Sequence, residues 1–278
     1  MISTSWVQQK IKLLGLRPSR GNGQNFLISD EPIKTIIHAG GVRKGDVVLE
    51  IGPGLGALTE ELLKIGAHVT AIEFDPKLAT FLQTTISTNK PLTVVQGDAL
   101  HIATREFLLE LAAAQPYKLI ANIPYHITSD LIRHFIETPH QPSVICLLIQ
   151  KEVAERITAA SPRTNQLAIF TQWYADVEIV EIISRAHFLP VPEVDSAIIR
   201  ITPRAPQEQM HGLTELEKKQ LFSFIKRGFS NPRKQLANNL SIKKIDEQHT
   251  KHFDFTRRAE TLSIEEWITL FKALSEHL

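Results

Sequence analysis

Three glycines follow an apolar run in the segment Glu50-Ile-Gly-Pro-Gly-Leu-Gly-Ala-Leu-Thr59. Glycine is required where a strand turns sharply into a helix and where a ligand must approach the backbone with no Cβ in the way. Glu73 follows Gly52 by 21 residues, at the predicted end of a second strand, where a carboxylate can accept both hydroxyls of a ribose. Gly52, Gly54 and Glu73 therefore predict a nucleoside-binding turn. They do not identify the nucleoside, because Gly52-x-Gly54-x-x-Ala57 also satisfies a dinucleotide fingerprint.

Two further motifs end the next predicted strands and favour adenine chemistry. Asp98 in Gly97-Asp-Ala-Leu100 can accept a hydrogen bond from the exocyclic amine of an adenine. In Asn122-Ile-Pro-Tyr125, the Asn122 side-chain oxygen and the Ile123 carbonyl can both accept hydrogen bonds from such an amine, and Tyr125 can stack on the base. Two acceptors favour a pyramidal nitrogen with a localised lone pair. Methyl transfer from a sulfonium then needs positioning and electrostatic preorganisation, and no strong general base.

The elements that must position these motifs alternate between strands and helices. Continuous apolar runs predict strands buried on both faces, as in a doubly wound α/β sheet. The predicted strands are 47–51, 69–72, 93–96, 119–121, 144–149, 177–183 and 197–202, and the predicted helices are 57–64, 76–85, 107–113, 129–137 and 151–157.

The alternation stops near residue 203. Pro203–Gly212 has no periodicity and is predicted to be a linker. Thr214-x-x-Glu217 and Ser263-x-x-Glu266 are capping boxes that precede apolar residues at helical spacing. We therefore expect an α/β catalytic domain over 1–203, including a basic segment 1–29, and a smaller all-helical domain over 204–278.

Basic residues are concentrated in two segments that contain no acidic residue. Residues 1–29 and 218–244 hold 12 of the 31 lysines and arginines and none of the 30 aspartates and glutamates. The rest of the chain is therefore acidic, and the pattern favours a polyanion bound at a defined surface.

Seven motifs in order make the chain resemble the family of rRNA small-subunit adenine-N6,N6 dimethyltransferases, the enzymes linked to kasugamycin sensitivity. Besides the glycine motif, Gly97–Leu100 and Asn122–Tyr125, they are Gly23-Gln-Asn-Phe-Leu27, Glu73-Phe-Asp75, Phe188-Leu-Pro-Val-Pro-Glu-Val-Asp-Ser196 and Arg258-Ala-Glu-Thr-Leu-Ser263. The resemblance covers nearly the whole chain and implies a Rossmann-like S-adenosylmethionine-dependent methyltransferase domain.

The resemblance also implies the ligands and the residues that contact them. S-adenosylmethionine would be held by Asn25, Leu27, Gly52, Gly54, Glu73, Asp98 and Asn122. Asn122, Ile123, Pro124 and Tyr125 would hold the target adenine, and Phe188 would supply a second aromatic surface. The implied substrate is a pair of adjacent adenines near the 3′ end of 16S rRNA in the small ribosomal subunit, each dimethylated, which gives the protein a role in subunit biogenesis. Such bases must leave their stack to react.

Three other functions stay open at this point. They are dimethylation of a large-subunit adenine, as in macrolide resistance, nucleic-acid binding without turnover during ribosome assembly, and nicotinamide-dependent hydride transfer.

Composition and sequence patterns argue against a membrane-spanning, disulfide-bonded, metal-binding or secreted protein. The longest apolar run, Val144–Ile149, is far shorter than the roughly 20 residues of a membrane span. The single cysteine, Cys146, excludes an internal disulfide and fits a reducing compartment. His249 and His252 have no third ligand nearby in sequence, and no metal site is predicted. Met1–Gly15 carries polar and basic residues where a secretory signal would be apolar. We expect a cytoplasmic monomer that needs no metal.

Overall fold

The computed structural model describes residues 2–18, 24–88, 90–241 and 253–275. The chain forms two compact units: Met1–Ala154 with Asp176–Pro203, and Glu155–Ala175 with Arg204–Leu278. One division between the units falls after Pro203, and residues 155–175 group with the second unit and not with the rest of 1–203. The assignment of 1–203 and 204–278 as two domains stays a prediction. His249 and His252 lie outside the described residues.

The first unit is organised by a seven-stranded sheet. Its strands are β2 (Val47–Ile51), β3 (His68–Glu73), β4 (Leu92–Gln96), β5 (Tyr117–Asn122), β6 (Ile145–Gln150), β7 (Ala175–Ile183) and β9 (Ser196–Pro203), in the spatial order β4-β3-β2-β5-β6-β9-β7. Neighbouring strands from β4 to β6 are parallel, and β9 runs antiparallel to β6. From β2 the chain adds β3 and β4 on one side of the sheet, and it then crosses over to add β5 and β6 on the other side of β2. The order of strand addition therefore reverses between β2 and β5. That switch point is where open α/β sheets bind their ligands.

A second, two-stranded sheet pairs β1 (Phe26–Leu27) with β8 (Phe188–Leu189). Neither short strand was predicted from the sequence. The pairing sets Leu27 opposite Phe188 and Phe26 opposite Leu189, and so joins segments far apart in sequence.

Helices connect the strands of the first unit. They are α1 (Thr4–Leu13), α2 (Glu31–Ala39), α3 (Ala57–Ile65), α4 (Pro76–Phe81), α5 (Ala99–Ile102), α6 (Arg105–Leu111), α7 (Thr128–Glu137) and α8 (Lys151–Ile157), of which residues 155–157 fall in the second unit. The helix predicted over 76–85 is α4 followed by a π-helical turn, Leu82–Ile86. The Asp75 side chain caps α4 by accepting hydrogen bonds from the backbone N–H groups of Lys77 and Leu78. Helices α1 and α2 were not predicted.

Apolar side chains of the central strands form the core of the first unit. Val48, Leu49, Leu119 and Ile120 are fully buried, as the continuous apolar runs predict. Cys146 is also fully buried, as expected for a thiol in the middle of a central strand.

The described part of the second unit is helical. Its helices are α9 (Gln166–Tyr174), α10 (Glu215–Gly228), α11 (Leu236–Asn239) and α12 (Ile264–Ser275). Both predicted capping boxes form, at Thr214 with Glu217 and at Ser263 with Glu266. The predicted linker is not wholly irregular, because Glu208–Met210 forms a 3₁₀ turn and Gln209 is buried.

Helix α9 joins the second unit through its aromatic side chains. The Trp173 ring lies 5.2 Å from that of Phe222 on α10 and 4.2 Å from that of His211, measured between centroids. Phe170 lies 4.8 Å from the same Phe222 ring. Because of these contacts, residues 155–175 group with the second unit and not with the first.

Candidate active site

The glycine turn and the Asn122–Tyr125 motif meet at the switch point of the sheet. Gly52 has a φ of +67°, which side-chain-bearing residues rarely adopt, and an added Cβ would lie 3.3 Å from Cδ of Pro124. The turn that follows β2 therefore packs directly on the proline that follows β5. The absence of a side chain at Gly52 allows this approach.

Glu73, at the end of β3, uses both carboxylate oxygens to hold the turn. Its Oε2 accepts a 2.9 Å hydrogen bond from the Gly54 N–H, and its Oε1 accepts one of 2.9 Å from the Asp75 N–H. Glu73 is only 6% exposed, and burial raises its pKa even though the backbone hydrogen bonds oppose that shift. Each oxygen keeps a second lone pair, so the carboxylate is held in place and can still accept ribose hydroxyls.

A cavity of about 460 Å³ extends along these motifs, within the usual range for a small-molecule site. All the residues predicted to bind S-adenosylmethionine line this cavity: Asn25, Leu27, Gly52, Gly54, Glu73, Asp98 and Asn122. The Oδ1 atom of Asn25 is buried and has no hydrogen-bond partner among the residues that the structure describes. A buried amide oxygen without a partner is costly unless a ligand supplies the donor.

The two carboxylate oxygens of Asp98 have different surroundings. Oδ1 accepts a 2.9 Å hydrogen bond from the Leu100 N–H and so caps α5, and Oδ2 lies 3.4 Å from Nδ1 of exposed His101. One carboxylate oxygen therefore fixes the side chain at the cavity. The Asp98 side chain is 39% exposed, and Oδ2 has lone pairs that can accept a hydrogen bond from an amine.

The predicted base-contacting motif lines the same cavity. Asn122 and Tyr125 are half-buried there, and Ile123 is buried beside them. The Tyr125 hydroxyl is 2.8 Å from Oγ of Ser196 on β9. Burial raises the pKa of Tyr125, so its phenol stays neutral. The structure thus brings together Asn122 to Tyr125, and the role of each in base binding stays a prediction.

Phe188 does not line the cavity. Its side chain is fully buried, packed in a core cluster with Leu27, Ile33 and Ile198. The pairing of β8 with β1 places it there. In this structure Phe188 does not form the second aromatic surface that the family resemblance implies.

Glu50, the first residue of the glycine motif, is a buried carboxyl whose protonation state could not be predicted from the sequence. It is 1% exposed, lines the cavity, and its Oε2 accepts a 2.7 Å hydrogen bond from the Thr59 hydroxyl. Burial raises its pKa to about 8, and the neighbouring charge of Glu73 adds to the shift. Glu50 is therefore largely protonated at neutral pH.

Two aromatic residues at the cavity were missed from the sequence. Trp6 on α1 lines the cavity, and the Lys10 ammonium lies 4.1 Å from its ring centroid. Fully buried Val7 anchors α1 to the first unit. Phe74 also lines the cavity and is 74% exposed. The signal for α1 was present, because Ser3 caps the helix and apolar residues recur at helical spacing after it.

Neither a metal cluster nor a membrane span is found in the described ranges. No group of three or more His, Cys, Asp or Glu residues there is arranged to hold a metal ion. Among the same residues, no helix has the length and apolar character that crossing a bilayer requires.

Comparison with known proteins gives a consistent family. The family of ribosomal RNA adenine dimethylases matches residues 18–276. Ribosomal RNA small subunit methyltransferase A of Dehalococcoides mccartyi (strain CBDB1) is 38% identical over 260 residues, covering 91% of this chain and 87% of the relative. The protein of the same name from Enterococcus faecalis is 35% identical over 287 residues, covering 98% and 96%.

Solved structures agree with that result. The 23S rRNA methyltransferase ErmE has a TM-score of 0.71 and 29% identity, covering 90% of this chain and all of the other. A dimethyladenosine transferase from Plasmodium falciparum has a TM-score of 0.72 and 24% identity, covering 90% and 98%, and shows the shared fold. The chain belongs to the ribosomal RNA adenine dimethylase family and is an rRNA adenine dimethyltransferase.

Proposed function

We propose that this protein dimethylates the N6 amines of two adjacent adenines near the 3′ end of small-subunit rRNA, with S-adenosylmethionine as methyl donor. Relatives named for the small subunit support the choice of substrate, because two of them are 38% and 35% identical over more than nine-tenths of the chain. ErmE, which is named for 23S rRNA, is 29% identical.

The observation that carries the proposal is the polar lining of the cavity beside Asn122–Tyr125. Asn25 offers a buried oxygen that needs a donor, Glu73 offers lone pairs to a ribose, and Asp98 offers an oxygen to an adenine amine. These groups match the polar edges of the adenosine part of S-adenosylmethionine. When bound, that cosubstrate supplies an electrophilic methyl group on a sulfonium.

Residues at the carboxyl end of β5 position the target base for methyl transfer. In the first transfer the Asn122 side-chain oxygen and the Ile123 carbonyl accept the two N6 hydrogens, and in the second transfer one of them accepts the single hydrogen that remains. Tyr125 stacks on the base in both. The nitrogen lone pair forms the new N–C bond as the C–S bond breaks, and the proton released from the amine passes to water. No strong base is needed, because the methylated amine is acidic before it loses that proton. Catalysis therefore depends on positioning.

Exposed basic side chains support RNA as the partner. In the second unit, Lys219, Lys226, Arg227, Arg233 and Lys234 are all exposed. Such residues neutralise phosphates, and binding should weaken as salt is raised. We further propose that the protein acts as a monomer in the cytoplasm, where ribosomal subunits mature. The molar mass in solution, measured by light scattering, tests whether the protein is a monomer.

The experiment is methyl transfer from labelled S-adenosylmethionine to small-subunit particles that lack the modification. We expect incorporation by the parent, loss of at least about a hundredfold in kcat for Asn122→Ala, and parental activity for Gln115→Ala, an exposed amide outside the cavity. Primer-extension arrest maps the modified bases. Absence of incorporation, equal activity of the two variants, or modification of large-subunit RNA alone would each refute the proposal.

A further inference from the structure

One hydrogen bond links the candidate base-binding motif to a distant strand. The Tyr125 hydroxyl and Oγ of Ser196 are 2.8 Å apart, although the residues are 71 positions apart in sequence. Tyr125 begins the 3₁₀ turn that follows β5, and Ser196 is the first residue of β9. Tyr125 lines the cavity, whereas Ser196 is fully buried behind it.

The backbone at Ser196 is held in place at the start of β9. It lies opposite Gln150 in the antiparallel pairing of β9 with β6. The residue before it is fixed twice, because the Asp195 side chain accepts a 2.9 Å hydrogen bond from the Arg185 N–H and the Asp195 carbonyl accepts one of 3.0 Å from the Lys151 N–H. The backbone that carries the Ser196 hydroxyl is therefore held in place, which limits where that hydroxyl can lie when it pairs with Tyr125.

The backbone of Tyr125 is also fixed, so its ring torsions are the freedom that remains. The Tyr125 carbonyl accepts a 3.0 Å hydrogen bond from the Thr128 hydroxyl, and Pro124 restricts the preceding backbone. Without a partner for the phenol, the ring could rotate among staggered positions. The bond to Ser196 holds the hydroxyl end and selects one ring orientation.

We propose that Ser196 is a positioning residue that holds the Tyr125 ring in the orientation needed to stack on the target adenine. The inference rests on the proposed function and deepens it. It also assigns the phenol a structural partner, so that Tyr125 acts as a neutral stacking surface and not as a proton acceptor in methyl transfer.

The test removes the bond from each side and then from both. Ser196→Ala and Tyr125→Phe should each lower kcat on small-subunit particles by roughly fivefold, the effect of one neutral hydrogen bond on an equilibrium. The double variant should be no slower than either single variant, because all three lack the same bond. Equilibrium binding of S-adenosylmethionine should not change. Ser184→Ala, which removes an exposed capping serine, is the matched control and should keep parental kcat.

A spectroscopic measurement separates this proposal from the proposed function. The chain has three tyrosines, so 3-fluorotyrosine labelling gives a fluorine NMR spectrum that Tyr→Phe variants can assign. In Ser196→Ala the Tyr125 resonance should shift and those of Tyr117 and Tyr174 should not. This result is measurable even if the parent methylates nothing.

Three outcomes would overturn the inference. They are parental kcat in Ser196→Ala, a double variant whose loss equals the product of the single losses, and a loss above about a hundredfold in Tyr125→Phe, which would mean that the phenol itself takes part in the reaction. If Ser196→Ala does not fold, Tyr125→Phe breaks the same bond from the half-buried side, and parental kcat in that variant refutes the role.

Discussion

Replacing Glu50 by glutamine tests whether the cavity contains a protonated carboxyl. Glu50 is 1% exposed, and its Oε2 accepts a hydrogen bond from Thr59. Glutamine keeps an oxygen for Thr59, carries an N–H where the protonated acid carries O–H, and cannot ionise. The substitution therefore removes the titration and preserves the shape.

The sign and size of the effect follow from linkage. The pKa of Glu50 is raised from 4.5 to about 8 on folding. Between those values the folded protein keeps the proton that the unfolded chain has lost, so the free energy of unfolding falls as pH rises, by about 1.4 kcal/mol per unit. The accumulated loss is about 3 kcal/mol at pH 7 and about 5 kcal/mol above pH 8.

The measurement is the free energy of unfolding from denaturant titrations at pH 5, 7 and 9. The difference between Glu50→Gln and the parent should be small at pH 5, should grow in favour of the variant through pH 7, and should be largest at pH 9. Glu106→Gln, at an exposed position of α6, is the control for the loss of one carboxylate. A flat difference between Glu50→Gln and the parent across this pH range would show that Glu50 is ionised in the folded protein and that the reasoning from burial is wrong.

Three further predictions concern packing, ligand binding and capping. Gly56→Ala should lower the free energy of unfolding by about 1–3 kcal/mol in thermal melts, because its φ is +80° and an added Cβ would collide with Ile86 Cδ1; an unchanged melting temperature would contradict the described turn. S-adenosylmethionine should change the tryptophan fluorescence of the parent, and Trp6→Phe should abolish the change, since Trp6 lines the cavity; a change that survives in the variant would place its source elsewhere. Thr214→Ala should destabilise the second unit by about 1 kcal/mol in denaturant unfolding, because Thr214 and Glu217 form a capping box; no loss would mean that the box contributes nothing.

The sheet and the order of its motifs were predictable because their signals are local. Each central strand is one apolar run, and each functional motif directly follows such a run. A carboxyl-end motif on a parallel strand must lie at the same sheet edge as its neighbours, so Glu73, Asp98 and Asn122 were expected together and do line one cavity.

What the sequence missed depends on contacts between distant segments. The burial of Phe188 is set by a two-residue pairing with β1, which is too short to leave a periodic pattern. Helix α9 is apolar on most of its surface, and the ring partners of Phe170 and Trp173, which are His211 and Phe222, come after residue 204 in the chain. The raised pKa of Glu50 arises from the surrounding protein and from Glu73, and no spacing rule contains it.

The discontinuous boundary between the two units decides how the chain can be divided. A fragment that stops at residue 203 would keep α9 and lose Phe222, so the Trp173 and Phe170 rings would lack the partner they share. Such a fragment should be prone to aggregation through newly exposed aromatic surface. Because residues 155–175 group with the part of the chain after residue 203, cutting the chain once after residue 203 does not separate the two units.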